Sequence, residues 1–283
     1  MTAPDPAATE LREVKGPSAA GGGPRRFFDL LWLMSVTEFK RTYFGTVLGY
    51  VWSLVRPLML FAVLLFVFTK IFRIGSNVPH YELMLLLNIV LFSFFQEATQ
   101  NAVTSVVAQE GVVRKTQFPR LVIPLSVVLT GVFNLSLNLI VVFAFIVIWG
   151  VDPTWSWLLF GVALALIFVF TCAVSMMLSA LYVRFRDVLI IWSVMATVLF
   201  YGTPILYPIE IVPEQYRSAM LVNPLAPIFE QIRVWVIDPS APSAVAAAGG
   251  HLELLPAAAL FVVVCVLGVV VFARGAPRIA EEL

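Results

Sequence analysis

Histidine and cysteine are almost missing from this chain, which has two of each. His80 and His251 have no cysteine, aspartate or histidine at ligand spacing, which argues against a metal centre. Cys172 and Cys265 both fall inside apolar runs, where lone thiols serve as small packing residues and not as a disulfide framework. Charge is scarce as well. Only 12% of residues are Asp, Glu, Lys or Arg, where about a quarter is usual for a soluble domain. The net charge of +1 provides no polyanion-binding surface, which argues against nucleic acid as a partner. None of the lysines follows a glycine, so the phosphate-cradling G-x-x-x-x-G-K-[ST] loop is absent, as are G-x-S-x-G, H-E-x-x-H and any pair of acids sharing a pocket. The reading is a chain that is not an enzyme and binds no cofactor of its own.

What the chain has in excess is apolar sequence. Hydrophobic residues make up 60% of it and mean hydropathy is +0.95. A helix needs about 20 mostly apolar residues to cross the hydrocarbon core, and several runs reach that length. Six spans are expected, near 50–72, 83–109, 122–149, 156–182, 188–206 and 254–273. Residues 1–24, rich in Ala, Pro, Gly and Ser, read as a disordered tail with no signal-peptide core. Residues 25–45 are too short and too interrupted by charge to span, and fit an amphipathic helix in the interface plane. Residues 204–237 are too proline-broken to span and too apolar for a free loop, so short re-entrant helices sheltered by protein are expected there. A linker at 240–253 leads to the last span, and 274–283 is a short C-terminal tail.

Charge sets the orientation. With both termini inside, thirteen of the 18 Lys and Arg residues lie on the inner side. Four (Lys70, Arg73, Arg217, Arg233) lie outside, and Arg56 sits near the start of the first span. That bias satisfies the positive-inside rule. The second span carries Gln96, Glu97, Thr99, Gln100 and Asn101. An ionisable group at that depth faces the bundle interior or a water-filled path. Glu97 is therefore either a tie to Asn134 or Asn138 in the third span or part of a transport path.

The most distinctive stretch runs from Glu110 to Ser126. It is cationic through Arg114, Lys115 and Arg120, holds an apolar knob at Phe118-Pro119, and restarts a helix at Pro124. That shape suits a groove on a partner. It resembles E-x-x-L-I-x-K-x-x-F-P-R-x-x-L-P-L-S in the permease subunits of ABC-2 type polysaccharide exporters. Residues 42–57 resemble the same family's entry into the first span, with Thr42 where Arg is frequent, and Arg184-Phe185-Arg186-Asp187 resembles its R-x-R-D turn. The likeness covers about 27–273, so 46–273 is expected to be one transmembrane domain. It implies that 110–120 is a coupling segment, with Arg114, Lys115, Phe118, Pro119 and Arg120 touching a separate ABC ATPase that uses ATP and Mg. It also implies an outer gate at 204–237 including Pro204, Asn223 and Pro224. The implied assembly is a homodimer in the cytoplasmic membrane exporting a polysaccharide linked to a polyprenyl diphosphate. Sugars present C–H faces to aromatic rings, so Tyr50, Trp52, Tyr201 and Tyr207 are path candidates beside Glu97; interfacial anchoring is the other reading of these four. A small-substrate ABC-2 drug or lipid efflux permease shares the architecture. A channel or scaffold without an ATPase is the rival from another class.

Overall fold

A computed structural model describes residues 23–43, 49, 51–73, 78–111 and 118–276. The expectations for the tail before Gly23, for Tyr50, for Arg114 and Lys115, and for the segment after Ala276 lie outside the described residues. Among the described residues the chain is all-helical. Helix α1 (Pro24–Tyr43) is followed by α2 (Val51–Phe66, prolonged by a π-helical turn Val67–Ile71), α3 (Tyr81–Ala108), α4 (Val122–Ile148), α5 (Trp157–Arg184) and α6 (Val188–Gly202). Two short helices, α7 (Glu214–Leu221) and α8 (Leu225–Val236), then α9 (Ala244–Ala248), precede the last long helix α10 (Leu255–Gly275).

Five of these helices are long and apolar enough to cross a membrane: Val51–Ile71, α3, α4, α5 and Leu252–Gly275. The expected fifth span is the shorter apolar helix α6, whose 15 residues extend about 22 Å. It was expected to run to 206 and stops at Gly202. Thr203 takes φ −103° and ψ 144°, because the ring of Pro204 disfavours helical backbone in the residue before it. The expected linker at 240–253 is also partly helical. Ser243 Oγ accepts from the Ala246 amide at 3.2 Å and Gly249 closes α9 at φ 85°, an N-cap and a left-handed C-terminal glycine.

Helix α3 is the axis of the bundle. It is apolar on nearly every side, the signature of a helix enclosed by others, and 78% of its spanning window is buried. α4 and α5 pack along it, and α2 and α6 touch it from two sides. α1 packs across α4, where Trp32 and Phe39 meet Phe133 edge-on at 5.5 and 5.7 Å. One end of the bundle, the α1 end, is closed by Val106, Ile123, Val183 and Phe272 with Met34 and Phe118 packed on them. The opposite end carries α7, α8 and α9.

α10 is held to α5 by a close backbone approach. A Cβ added at Gly268 would lie 2.3 Å from the carbonyl oxygen of Ala173, and small residues permit such approaches between apolar helices. Gly268→Ala is expected to push α10 off α5 and lower the thermal midpoint of the purified chain in detergent. Gly275→Ala, whose Cβ would meet only the Ala180 methyl at 3.7 Å, serves as the tolerated control. Equal midpoints for the two variants would refute the packing argument.

Candidate functional site

The polar residues of α3 fall on one stripe. Ser93, Gln96, Glu97, Gln100, Asn101 and Thr104 repeat at three- and four-residue steps, which places them on one face of a helix. That face is left uncovered by α4 and α5. It opens on a cavity of about 710 Å³ whose opposite wall comes from Thr42 and Tyr43 at the end of α1 and from Trp52, Ser53, Arg56 and Pro57 in α2. Pro57 sits within the second turn of α2, where its missing amide removes a backbone hydrogen bond. Arg56 Nη1 donates to Glu97 Oε1 at 3.1 Å across the cavity, with side chains 77% and 45% exposed. A second hollow of about 460 Å³ adjoins it, sharing Thr42, Glu97 and Asn101 and adding Glu38, Arg41 and Thr130. Tyr43 has Asn134 and Ser53 as side-chain neighbours, and burial raises its phenol above the ordinary value, with the Asn134 hydrogen bond opposing.

Glu97 is thus paired with Arg56 of α2 and not with Asn134 or Asn138, as one of the two sequence readings had it. Asn138 donates to the Asn134 carbonyl on its own helix at 2.9 Å. Asn134 and Asn138 face Glu97 across a narrow crevice, whereas Arg56 hydrogen-bonds the carboxylate directly.

The other end of the bundle is built from residues 203–238. Tyr207 Oη donates to the Tyr201 carbonyl at 2.8 Å, and the Tyr201 ring, 60% exposed, stands edge-on to Phe200. Asn223 donates to Thr203 Oγ1 at 2.7 Å and accepts from the Leu225 amide at 3.1 Å, so it joins the end of α6 to the start of α8. Pro224 occupies the position before α8 and Pro204 is buried. Buried Tyr81 of α3 donates to the Leu206 carbonyl at 2.6 Å, anchoring this segment to the bundle axis. Trp52 and Glu97 therefore share a cavity near the α1 end, while Tyr201 and Tyr207 meet at the opposite end. The path candidates form two groups and not one.

A cluster of charges at this end was not anticipated. Arg233, one of the four charges placed on the outer side, has a side chain only 5% exposed. It donates to both carboxylate oxygens of Glu210 at 3.0 and 2.9 Å, and its guanidinium lies 3.9 Å from Glu230 and 3.8 Å from Asp238. Glu230 is buried at 2% and accepts from the Ile209 amide at 3.0 Å. Burial pushes its carboxyl up to about 7, with Arg233 pulling the other way. The one hint in the sequence is the three-residue step from Glu230 to Arg233 on an otherwise apolar helix.

At the α1 end, Phe118 is half-buried against the Val106–Ile123–Phe272 cluster. Pro119 and Arg120 are buried, and their carbonyls accept from Val122 and Ile123 to start α4. Phe118 retains exposed surface, whereas Arg120 is enclosed by its own chain.

The sequence pattern of the family described as ABC-2 type transporter matches residues 29–236. The match runs from the first turns of α1 to the end of α8 and takes in both groups of residues. The chain belongs to the ABC-2 type transporter family. This ABC-2 transporter chain is similar to the O-antigen export system permease protein RfbA of Klebsiella pneumoniae, with 33% identity over 201 residues, 70% of this chain and 76% of that protein. RfbA of Myxococcus xanthus is 31% identical over 190 residues, covering 66% and 72% of the two chains. The polysialic acid transport protein KpsM of Escherichia coli is 22% identical over 199 residues, covering 68% and 76%. An ABC-2 transporter chain with this set of apolar helices is a multi-pass membrane protein.

Proposed function

We propose that this chain is the membrane-spanning subunit of an ATP-driven exporter that moves a polysaccharide, linked to a polyprenyl diphosphate, across the cytoplasmic membrane. The observation that carries the reading is the polar stripe of α3 facing a 710 Å³ cavity inside an apolar bundle, since polar groups at membrane depth mark aqueous or substrate pathways. The substrate class rests on the relatives, which are named for O-antigen and polysialic acid. The cavity suits a sugar chain. Trp52 is 55% exposed and presents a ring for the C–H face of a pyranose, while amides and hydroxyls of α3 match sugar hydroxyls. The Arg56–Glu97 pair keeps the wall hydrophilic with no net charge.

Both termini and the α1 end face the cytoplasm, in keeping with the distribution of Lys and Arg. Two copies enclose the path. α2, with only Pro57 buried, and α6, with only Trp192 and Ala196 buried, supply the uncovered faces. ATP and Mg are used by a separate ATPase subunit docking on 110–120, and 204–237 acts as the outer gate. Depleting the chain in its native cell tests the reading: a lipid-linked glycan is expected to accumulate inside while surface glycan falls. Unchanged surface glycan with accumulation of a small amphiphile would overturn it.

Phe118→Ala checks the docking segment. Loss of a buried interface anchor costs about 2 kcal/mol or more, so ATPase co-purification is expected to drop at least tenfold while membrane insertion stays normal. Full ATPase recovery together with normal export would remove Phe118 from the contact.

A further inference from the structure

A further cavity, of about 420 Å³, lies on the flank of the bundle between α1, the start of α4, α5 and α10. Its walls are almost wholly apolar. Phe27, Phe28 and Leu31 line it from α1, Leu125 from the first turn of α4, and Cys172 and Cys265 from α5 and α10. The residues just before it in the chain are Arg25 and Arg26, both exposed and without an ion-pair partner among the described residues. α1 carries no acidic residue in its first turn. Asp29 follows, also exposed, leaving an excess of one positive charge at the mouth.

Depth identifies what fits. Cys172 is twelve residues from Arg184 at the end of α5, and Cys265 is ten from Gly275 at the end of α10. At helical rise these are about 18 and 15 Å from the α1 end of the bundle. Half of a hydrocarbon core is about 15 Å. The lining of the cleft on α5 and α10 runs from Val269, six residues from Gly275, to Phe168, sixteen from Arg184, about 9 to 24 Å from the α1 end, so it extends over about the depth of one leaflet. Residues 1–22 have only Met1, Leu11 and Val14 as large apolar side chains, too few for that segment to fill it.

We propose that this cleft is a binding site for one acyl chain of an anionic phospholipid from the leaflet on the α1 side, with the headgroup phosphate held by Arg25 and Arg26. The charge at the mouth selects an anionic headgroup over a zwitterionic one. The lipid packs under α1 and ties it to α5 and α10, on the flank away from the Arg56–Glu97 cavity. The inference does not depend on which substrate the chain carries.

The test uses the full chain in nanodiscs of phosphatidylcholine doped with a phospholipid bearing a mid-chain diazirine. Phosphatidylglycerol and phosphatidylcholine versions are compared, and adducts are mapped by mass spectrometry. Several-fold more phosphatidylglycerol adducts are expected on the α5 and α10 peptides containing Cys172 and Cys265. Arg25→Gln/Arg26→Gln is expected to abolish that preference, and Leu125→Trp to reduce adducts from both lipids. Equal labelling by the two lipids in the unmutated chain would overturn the proposal, leaving ordinary solvation by bulk lipid. Displacement of phosphatidylglycerol by equimolar undecaprenyl phosphate, without displacement by unlabelled phosphatidylglycerol, would also overturn it. The unmutated comparison decides the matter even if a variant fails to fold.

Discussion

Arg233→Ala is expected to destabilise the α7–α8 end of the molecule by about 3–5 kcal/mol, the usual consequence of removing one partner from a buried ion pair. The replacement leaves Glu230 and Asp238, 2% and 7% exposed, and Glu210 without their shared cation. Glu210 belongs to the turn Ile209–Ile211, and Glu230 also holds that turn through the Ile209 amide. Loss of Arg233 therefore frees the segment from α8. Hydrogen exchange of residues 203–237 in detergent should accelerate while α3 stays protected. Arg233→Met combined with Glu230→Gln should recover part of the loss, because apolar replacement of a buried ionic group is often close to neutral. Unchanged exchange in Arg233→Ala would show that the cluster holds nothing.

The same cluster predicts a pH dependence of definite sign. The Glu230 carboxyl rises from its ordinary value of 4.5 to about 7 on folding, chiefly through burial. The folded chain thus keeps a proton that the unfolded chain releases between those values. This stabilisation is complete below about 4.5 and is lost as pH rises through about 7. The physical cause is first the burial of the carboxyl, which disfavours its charged form, with the nearby Glu210 carboxylate adding to the rise and Arg233 opposing it. Thermal midpoints should fall from pH 5 to pH 8 in the unmutated chain and fall less in Glu230→Gln.

The second large effect is on transport. Arg56→Glu is expected to reduce export per intact complex at least tenfold, because it sets two carboxylates facing each other across the candidate entry cavity. Its effect on folding should be small: both partners are well exposed, and exposed pairs contribute about 0–1 kcal/mol. Glu97→Arg added to Arg56→Glu restores opposite charges and should recover export. The readout is surface glycan normalised to complex recovered from membranes. A fall in complex recovery with normal export per complex would assign the pair to helix packing, and failure of the double variant to recover would deny that pairing itself matters.

Much of the architecture was legible because the signals behind it are local. An apolar run long enough to span reads the same wherever it packs, and the long helices begin and end within a few residues of the predicted spans. Pro204 and Pro224 broke the pattern in 204–237, and short helices were expected there for that reason. The polar cluster around Glu97 was visible too, as were Trp52 beside the entry motif and the knob at Phe118. The relation of these parts to one another was not visible.

By itself the sequence determined an all-helical membrane chain, the places where spans begin and break, and the family likeness carried by 110–126. The tertiary structure decided which groups meet. Arg56 and Glu97 are 41 residues apart in the chain, and only the packing of α2 beside α3 chose Arg56 over Asn134 or Asn138. Arg233 reads as an ordinary outer charge until Glu210, 23 residues away, folds over it. Gly268 reads as one more small residue until the Ala173 carbonyl comes within 2.3 Å of where its Cβ would be. Hydropathy and proline act on neighbours along the chain, whereas charge pairing, burial and close approach depend on atoms that only folding brings together.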